Sequence, residues 1–240
     1  MKLQVYGKTD IGLTRKNNED GYLVDRERQL FIVADGMGGH VAGEVASRIA
    51  IETTAESLQS IEHDDVQSQL ELAVNAANQT VRETADTHTK WRGMGTTLTV
   101  TLFHQQTVSL AHVGDSRVYR WKNQQLQQLS DDHSLAAEQL RRGILSRSEA
   151  QTSSLGNILL QAVGLSPDLD ICLKQFPVTA GELFLLCSDG LTNMLSDNRI
   201  SEVMQTDRDV QHCAEELINR ALAAGGRDNI TVIVIKVDEL

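Results

Sequence analysis

The stretch FIVADGMGGH, Phe31 to His40, follows Leu30 and carries an apolar run straight into one carboxylate, Asp35. Three glycines in the next four positions, a methionine and a histidine follow. A short unbroken apolar run bounded by glycine reads as a buried strand. Packing does not ask such a strand to end on an acid and then shed its side chains. Chemistry does, where a small ligand must reach the main chain.

Working outward, short strands are predicted near Leu3–Lys8 and Tyr22–Asp25 as well as Leu30–Ala34. Two helices follow. Residues 42–59 place Val45, Ala46, Ile49, Ala50 and Thr53 on one face, and residues 65–87 place Leu70, Ala73, Val74, Ala77 and Val81 at helical spacing. The middle returns to strands: GTTLTVTLF (95–103) alternates and is rich in β-branched residues. TVSLAHVGD (107–115), SRVYRW (116–121) and QLQQLS (125–130) come next, with the NQQ of 123–125 as a hairpin turn between the last two. Residues 133–164 are polar, punctuated by glycine and weakly helical, as in a flap outside the core. Strands near 169–175 and 182–188, a helix at 209–224 and the strand NITVIVIKV (229–237) complete the chain. Strands in blocks and helices in pairs exclude the alternation of a parallel sheet. They predict an α+β layered domain with antiparallel sheets covered by helices.

The 240 residues hold two prolines and no repeat or linker, so a single domain, 1–240, is expected. At 40% hydrophobic and 23% charged the chain can bury a core and remain in water. No apolar run is long enough to span a bilayer, and MKLQVYGKTD lacks a signal peptide's apolar centre. The three cysteines, Cys172, Cys187 and Cys213, suit a reducing compartment, so a cytoplasmic protein without a membrane partner is expected. The net charge of −11, with no basic stretch, argues against nucleic acid. No long exposed apolar helix asks for assembly, and a monomer is expected.

Four aspartates share one setting. Asp35 in VADG, Asp189 in LLCSDG and Asp115 in AHVGDSR follow apolar runs, and Asp228 in GGRDN precedes one. Asp-Gly and Gly-Asp are common turn dipeptides, so each alone reads as a turn. Together they can converge on one edge of a sheet assembly, where unpaired acids would repel and suffer desolvation. Divalent cations relieve both. Hard oxygen donors suit Mg²⁺ or Mn²⁺, and the seven histidines show no zinc spacing. The stretch TDIGLTRKNNEDGY adds Glu19 and Asp20 with Arg15 upstream. A guanidinium beside acids makes sense for an anionic substrate, because its planar fork grips two phosphate oxygens. Two ions bridged by an acid, with an arginine for phosphate, are equipment for attack of activated water on a phosphate ester.

These residues resemble the metal-dependent serine/threonine protein phosphatases of the protein phosphatase 2C family, in their compact bacterial form. The resemblance is carried by TDIGLTRKNNED (9–20), VADGMGGHVAGEVAS (33–47), GMGTTL (93–98), HVGDSRVY (112–119), LCSDGL (186–191) and GGRDNITVIV (225–234), in the family's order. It implies two antiparallel sheets face to face with helices outside both, a four-layer α-β-β-α fold. It implies that Asp35 bridges two ions, that Gly36 offers its carbonyl, and that Asp189 and Asp228 complete the first ion's ligands. Glu19 serves the second ion, Asp20 orients water, and Arg15 binds the phosphate. Asp115 with Asp189 matches a third, weaker site. The eukaryotic branch has a histidine directly after the Asp-Gly pair; here Met37 stands there, and His40 is the candidate general acid. Residues 133–164 match a mobile flap beside the site. The expected partners are phosphorylated proteins, substrates of a eukaryotic-like Ser/Thr kinase. The rival reading is a pseudophosphatase, a module that binds phosphoproteins without turnover.

Overall fold

The run from Leu30 to Ala34 is buried throughout, and its two faces enter different cores. Leu30, Ile32 and Ala34 join one cluster, while Phe31 and Val33 join another. Successive strand side chains point to opposite faces, so this strand needs cover on both. The computed structural model, which describes residues 1–38, 42–61, 65–146, 149–150, 153–206 and 209–240, provides that cover with four layers.

One sheet has the order β2 (Asp20–Asp25), β3 (Leu30–Met37), β5 (Leu98–His104), β6 (Thr107–Val113) and β9 (Cys172–Pro177). A two-residue strand, β4 (Gly95–Thr96), pairs with the end of β3. The other sheet has the order β1 (Lys2–Asp10), β11 (Ile230–Glu239), β10 (Leu183–Cys187), β7 (Arg117–Lys122) and β8 (Gln125–Gln128). Every pairing is antiparallel. The expected α+β sandwich of two antiparallel sheets is the observed fold.

Between the sheets Phe31, Phe103 and Phe184 meet edge to face, with centroids 5.8 and 5.1 Å apart. Helices α1 (Ala42–Ser57) and α2 (Val66–Thr87) cover the outer face of the first sheet. The second sheet is covered by α5 (Asp197–Thr206) and α6 (Val210–Ala223). Each large apolar side chain fully buried in these layers contributes about 1.5–3 kcal/mol. Between them in sequence lie α3 (Leu135–Arg141) and a single turn, α4 (Asp189–Thr192). Among the described residues no helix is long and apolar enough to cross a membrane.

Several elements differ from the sequence reading. β3 runs on to Met37, because β4 pairs with Gly36 and Met37; Asp35 therefore lies within a strand and not at its end. On α1 the buried positions besides Val45, Ala46 and Ala50 are Ala42, Gly43, Ser47, Ile51 and Thr54, while Ile49 is only partly buried and Thr53 is half-buried. Helix α5 was not anticipated, since Ile200, Val203 and Met204 are its only buried residues. The NQQ turn is observed: Asn123 and Gln124 join β7 to β8 with φ of 51° and 62°. Within 133–164 the chain forms α3 and a short 3-10 turn at Ser154–Asn157.

Candidate metal centre

The inner faces of both sheets are apolar until one end of the sandwich, where the same alternation delivers polar groups. On β3, Phe31 and Val33 are followed two residues on by Asp35. Next to β10, Phe184 and Leu186 are followed by Ser188, and on β11, Ile233 is preceded by Thr231. Asp20 stands opposite Asp35 in the β2–β3 register. Its Oδ2 accepts hydrogen bonds from Ser188 Oγ at 2.7 Å and Thr231 Oγ1 at 2.6 Å, which joins the two sheets across the gap. Asp189 opens α4 directly after Ser188, and Asn193 Nδ2 donates to its Oδ2 at 3.0 Å. Asp115 sits between β6 and β7.

Asp20, Asp35, Asp115 and Asp189 form an electrostatic group. Burial pushes the Asp20 carboxyl up to about 7, with Asp189 and Asp228 adding to the rise and Thr231 and Ser188 opposing it. Burial, then Asp20, Asp189 and Asp115, hold Asp35 well above the usual carboxylate range. Asp115 is raised by burial and by Asp189, and Asp189 by burial and by Asp228. Two buried oxygens in this group, Asp20 Oδ1 and Asp189 Oδ1, have no hydrogen-bond partner. An unpaired buried carboxylate costs several kcal/mol, so the folded chain holds acids it does not itself satisfy.

That is the observation that tests the fit to divalent ions, and the residues fit. The unsatisfied donors are carboxylate oxygens, the hard ligands that Mg²⁺ and Mn²⁺ prefer. Among the described residues no three carboxylate, imidazole or thiol groups already surround one point. The ligand shell therefore has to be completed by carbonyl oxygens and water, as is usual for Mg²⁺.

Glu19 reaches the site by another route. Its carbonyl accepts from Gly36 N–H at 3.2 Å and Ser47 Oγ at 2.7 Å. Its carboxylate lies over Gly43, in the first turn of α1, where a Cβ would stand 2.4 Å from Glu19 Oε2. A helix N-terminus favours negative charge there. Gly36 is required by this same crossing, because its Cβ would fall 2.1 Å from the Gly43 carbonyl. Expectation placed the need for glycine at an approaching ion; the close approach observed is of the chain to itself.

Arg15 is half-exposed, and its Nη2 lies 2.6 Å from Asp228 Oδ2. The bond to Asp228 raises the guanidinium pKa further. The candidate phosphate ligand and a candidate metal ligand are thus paired with each other. His40 lies outside the described residues. Cys187 is fully buried and burial pushes its thiol up to about 12, as suits an inert core residue.

Other residues hold these groups in place. Asn229 Oδ1 accepts from Glu19 N–H at 2.8 Å, and its Nδ2 donates to the carbonyls of Ile11 and Asn17 at 2.9 and 3.0 Å. It ties the whole 11–19 loop to the start of β11. Thr97 Oγ1 accepts from Asp35 N–H at 2.9 Å, and Thr96 Oγ1 donates to the Asp35 carbonyl at 2.9 Å. Ser188, fully buried, accepts from Thr231 N–H at 3.0 Å while donating to Asp20. It is a brace between strands, with no room to act as a nucleophile.

The profile of the protein phosphatase 2C family matches residues 14–225. The serine/threonine phosphatase stp of Listeria monocytogenes is 36% identical over 238 residues, covering 96% of this chain and 94% of that one. The crystal structure of the Mycobacterium tuberculosis serine/threonine phosphatase PstP/Ppp is similar with a TM-score of 0.93 and 34% identity, covering 99% of each chain. A second structure, the catalytic domain of the serine threonine protein phosphatase PstP in complex with 2 manganese ions, has a TM-score of 0.89 at 34% identity, again over 99% of each chain.

Proposed function

The chain belongs to the protein phosphatase 2C family, and we propose that its cluster of buried acids serves to remove phosphate from serine and threonine of proteins. It is a metal-dependent serine/threonine phosphatase, with manganese the metal held by its structural relative. The observation that carries the reading at this site is the pair of orphaned buried oxygens on Asp20 and Asp189. Nothing favours a module that binds phosphoproteins without turnover.

Asp35, Asp189 and Asp228, with the Gly36 carbonyl and Glu19, are the groups that would hold two divalent ions. Asp115 with Asp189 would hold a third, weaker one. Bound ions lower the pKa of water and offset charge on the phosphoryl oxygens. The chain's own residues do the rest. Asp20, with one oxygen fixed by Ser188 and Thr231, presents Oδ1 to orient the attacking water. Arg15, which pairs with Asp228 in this structure, would take two phosphate oxygens in its planar fork. Thr96 and Thr97 hold the Asp35 main chain on both sides, at its carbonyl and its N–H.

Phosphoproteins are the substrates. The finer assignment is to the products of a eukaryotic-like Ser/Thr kinase, met by a cytoplasmic monomer; of this, the cysteines, which form no disulfide, support only the reducing compartment. The test is release of p-nitrophenol from p-nitrophenyl phosphate, and of phosphate from a phosphothreonine peptide, with Mn²⁺ and with EDTA. Turnover of both with Mn²⁺ and of neither with EDTA is expected. No Mn²⁺-dependent rate on either would refute the enzyme.

A further inference from the structure

Two histidines hold both polar groups of one residue, Gly114, which directly precedes Asp115. Gly114 N–H donates to His133 Nδ1 at 3.3 Å. The Gly114 carbonyl accepts from His133 N–H at 2.7 Å and lies 3.0 Å from His112 Nε2. His112 Nδ1 is 2.9 Å from Thr99 Oγ1. The tautomers that satisfy every contact have Nε2 protonated in His112 and Nδ1 bare in His133. Both rings are neutral in this arrangement, and burial favours that by lowering His112 to about 3 and His133 below its usual value.

Gly114 also faces the centre of the site. Its φ is +116°, and a Cβ there would stand 2.6 Å from the Thr97 side chain, whose hydroxyl takes the Asp35 N–H. From the other side, His133 is the root of residues 133–164. Its carbonyl accepts from Leu160 N–H at 2.7 Å, and Leu135 N–H donates to the Ile158 carbonyl at 2.8 Å. Both arms of the segment therefore close on His133, and His133 closes on the residue before Asp115.

We propose that His133 is a positioning residue: it fastens the root of segment 133–164 to Gly114, so that the seating of that segment and the direction of the Asp115 carboxylate are set together. It acts through Gly114 and touches no substrate. The consequence for ions rests on the reading of Asp115 given above; the fastening does not. Asparagine is the conservative replacement, because its Oδ1 can accept where Nδ1 does. Glutamine sets its acceptor one bond farther out, and alanine has none.

The test compares His133→Ala, His133→Asn and His133→Gln with the unaltered protein by two readouts. The first is limited trypsin digestion of metal-free protein, scored at Arg141 and Arg142, whose side chains are 47% and 68% exposed. The second is calorimetric titration with Mn²⁺ alone. The alanine and glutamine variants should be cut about fivefold faster at these sites. Their weakest Mn²⁺ site should lose about tenfold in affinity, as for loss of a residue that orients a ligand. The asparagine variant should stay within about twofold of the unaltered protein on both counts. Should alanine prevent folding, asparagine against glutamine makes the same comparison. Cleavage at the unaltered rate in alanine and glutamine, or an asparagine variant as impaired as glutamine, would overturn the proposal. If the unaltered protein takes up no Mn²⁺, the metal reading fails, and the trypsin arm still decides the fastening.

Discussion

Asp228 faces two partners in this account: the Arg15 guanidinium, which it holds at 2.6 Å, and a divalent ion. Arg15→Ala removes a charge-assisted contact to phosphate of about 1.5–3 kcal/mol. The expected result is a KM for phosphopeptide raised roughly tenfold to a hundredfold with kcat little changed, read by steady-state kinetics. Asn229→Ala leaves Glu19 N–H and the Ile11 and Asn17 carbonyls without their partner. It should cost roughly 1–3 kcal/mol in urea denaturation and weaken Mn²⁺ uptake, because the 11–19 loop is no longer fixed to β11. The candidate acids were legible in the sequence because each adjoins an apolar run, three of them beside a glycine. Asn229, Ser188 and Thr231 were not, although they stand in the same motifs. Their work is hydrogen bonding to partners some 170 to 220 positions away, and no local period announces that. Gly36 was legible as necessary for its carbonyl to reach an ion; the crossing at Gly43 adds a second need for glycine that the sequence did not announce.

At the level of elements, the central strands β3, β10 and β11 could be read because both faces are covered, which gives each a long apolar run, whereas the edge strands β1 and β8 are mixed in composition and partly exposed. The centre of the α2 face was read correctly, since Leu70, Ala73, Val74, Ala77 and Val81 are all buried, and the face extends to Val66, Asn78 and Ala85. The α1 face was read one position askew, because alanine and threonine give a weak apolar contrast. Helix α5 escaped because DNRISEVMQT is mostly polar and buries three residues. The β7–β8 hairpin carries a testable flaw. Gln124 holds φ of 62°, a left-handed conformation that costs a side-chain-bearing residue about 1 kcal/mol or more. Gln124→Gly makes the turn Asn-Gly, the sequence such a two-residue hairpin prefers. It should stabilise the protein by about 1 kcal/mol, a rise in Tm of roughly 2–4 °C by calorimetry.

For the whole molecule, four layers bring residues from across the chain to one end of a sandwich, and the acids gathered there set its response to pH and metal. Without ions, Asp20 (about 7), Asp35 and Asp115 have folded pKa values above those of the unfolded chain, near 4. The folded state then binds more protons, so their stabilisation is full at low pH and is lost as pH rises through the folded values. His112 and His133 are depressed and act in the opposite sense, but only below about pH 6.5, where the unfolded imidazoles gain protons. Between about pH 6.5 and 8 the acids dominate, and EDTA-treated protein should lose on the order of 1–2 kcal/mol in urea unfolding. Mn²⁺ should reverse that slope, because it binds the ionised carboxylates. The layered antiparallel sheets and their covering helices other than α5 were legible from blocks of strands and paired helices. The pairing of Arg15 with Asp228 and the grip on Gly114 were not, since both depend on loops meeting in space. Asp35 and its neighbours are proposed as the ion-holding centre of a phosphatase. The most direct test of that role is phosphate release from a phosphothreonine peptide by Asp35→Asn beside the unaltered enzyme in saturating Mn²⁺. A fall of roughly a thousandfold, about 4 kcal/mol in the barrier, is expected; a rate within about threefold of the unaltered enzyme would contradict the account.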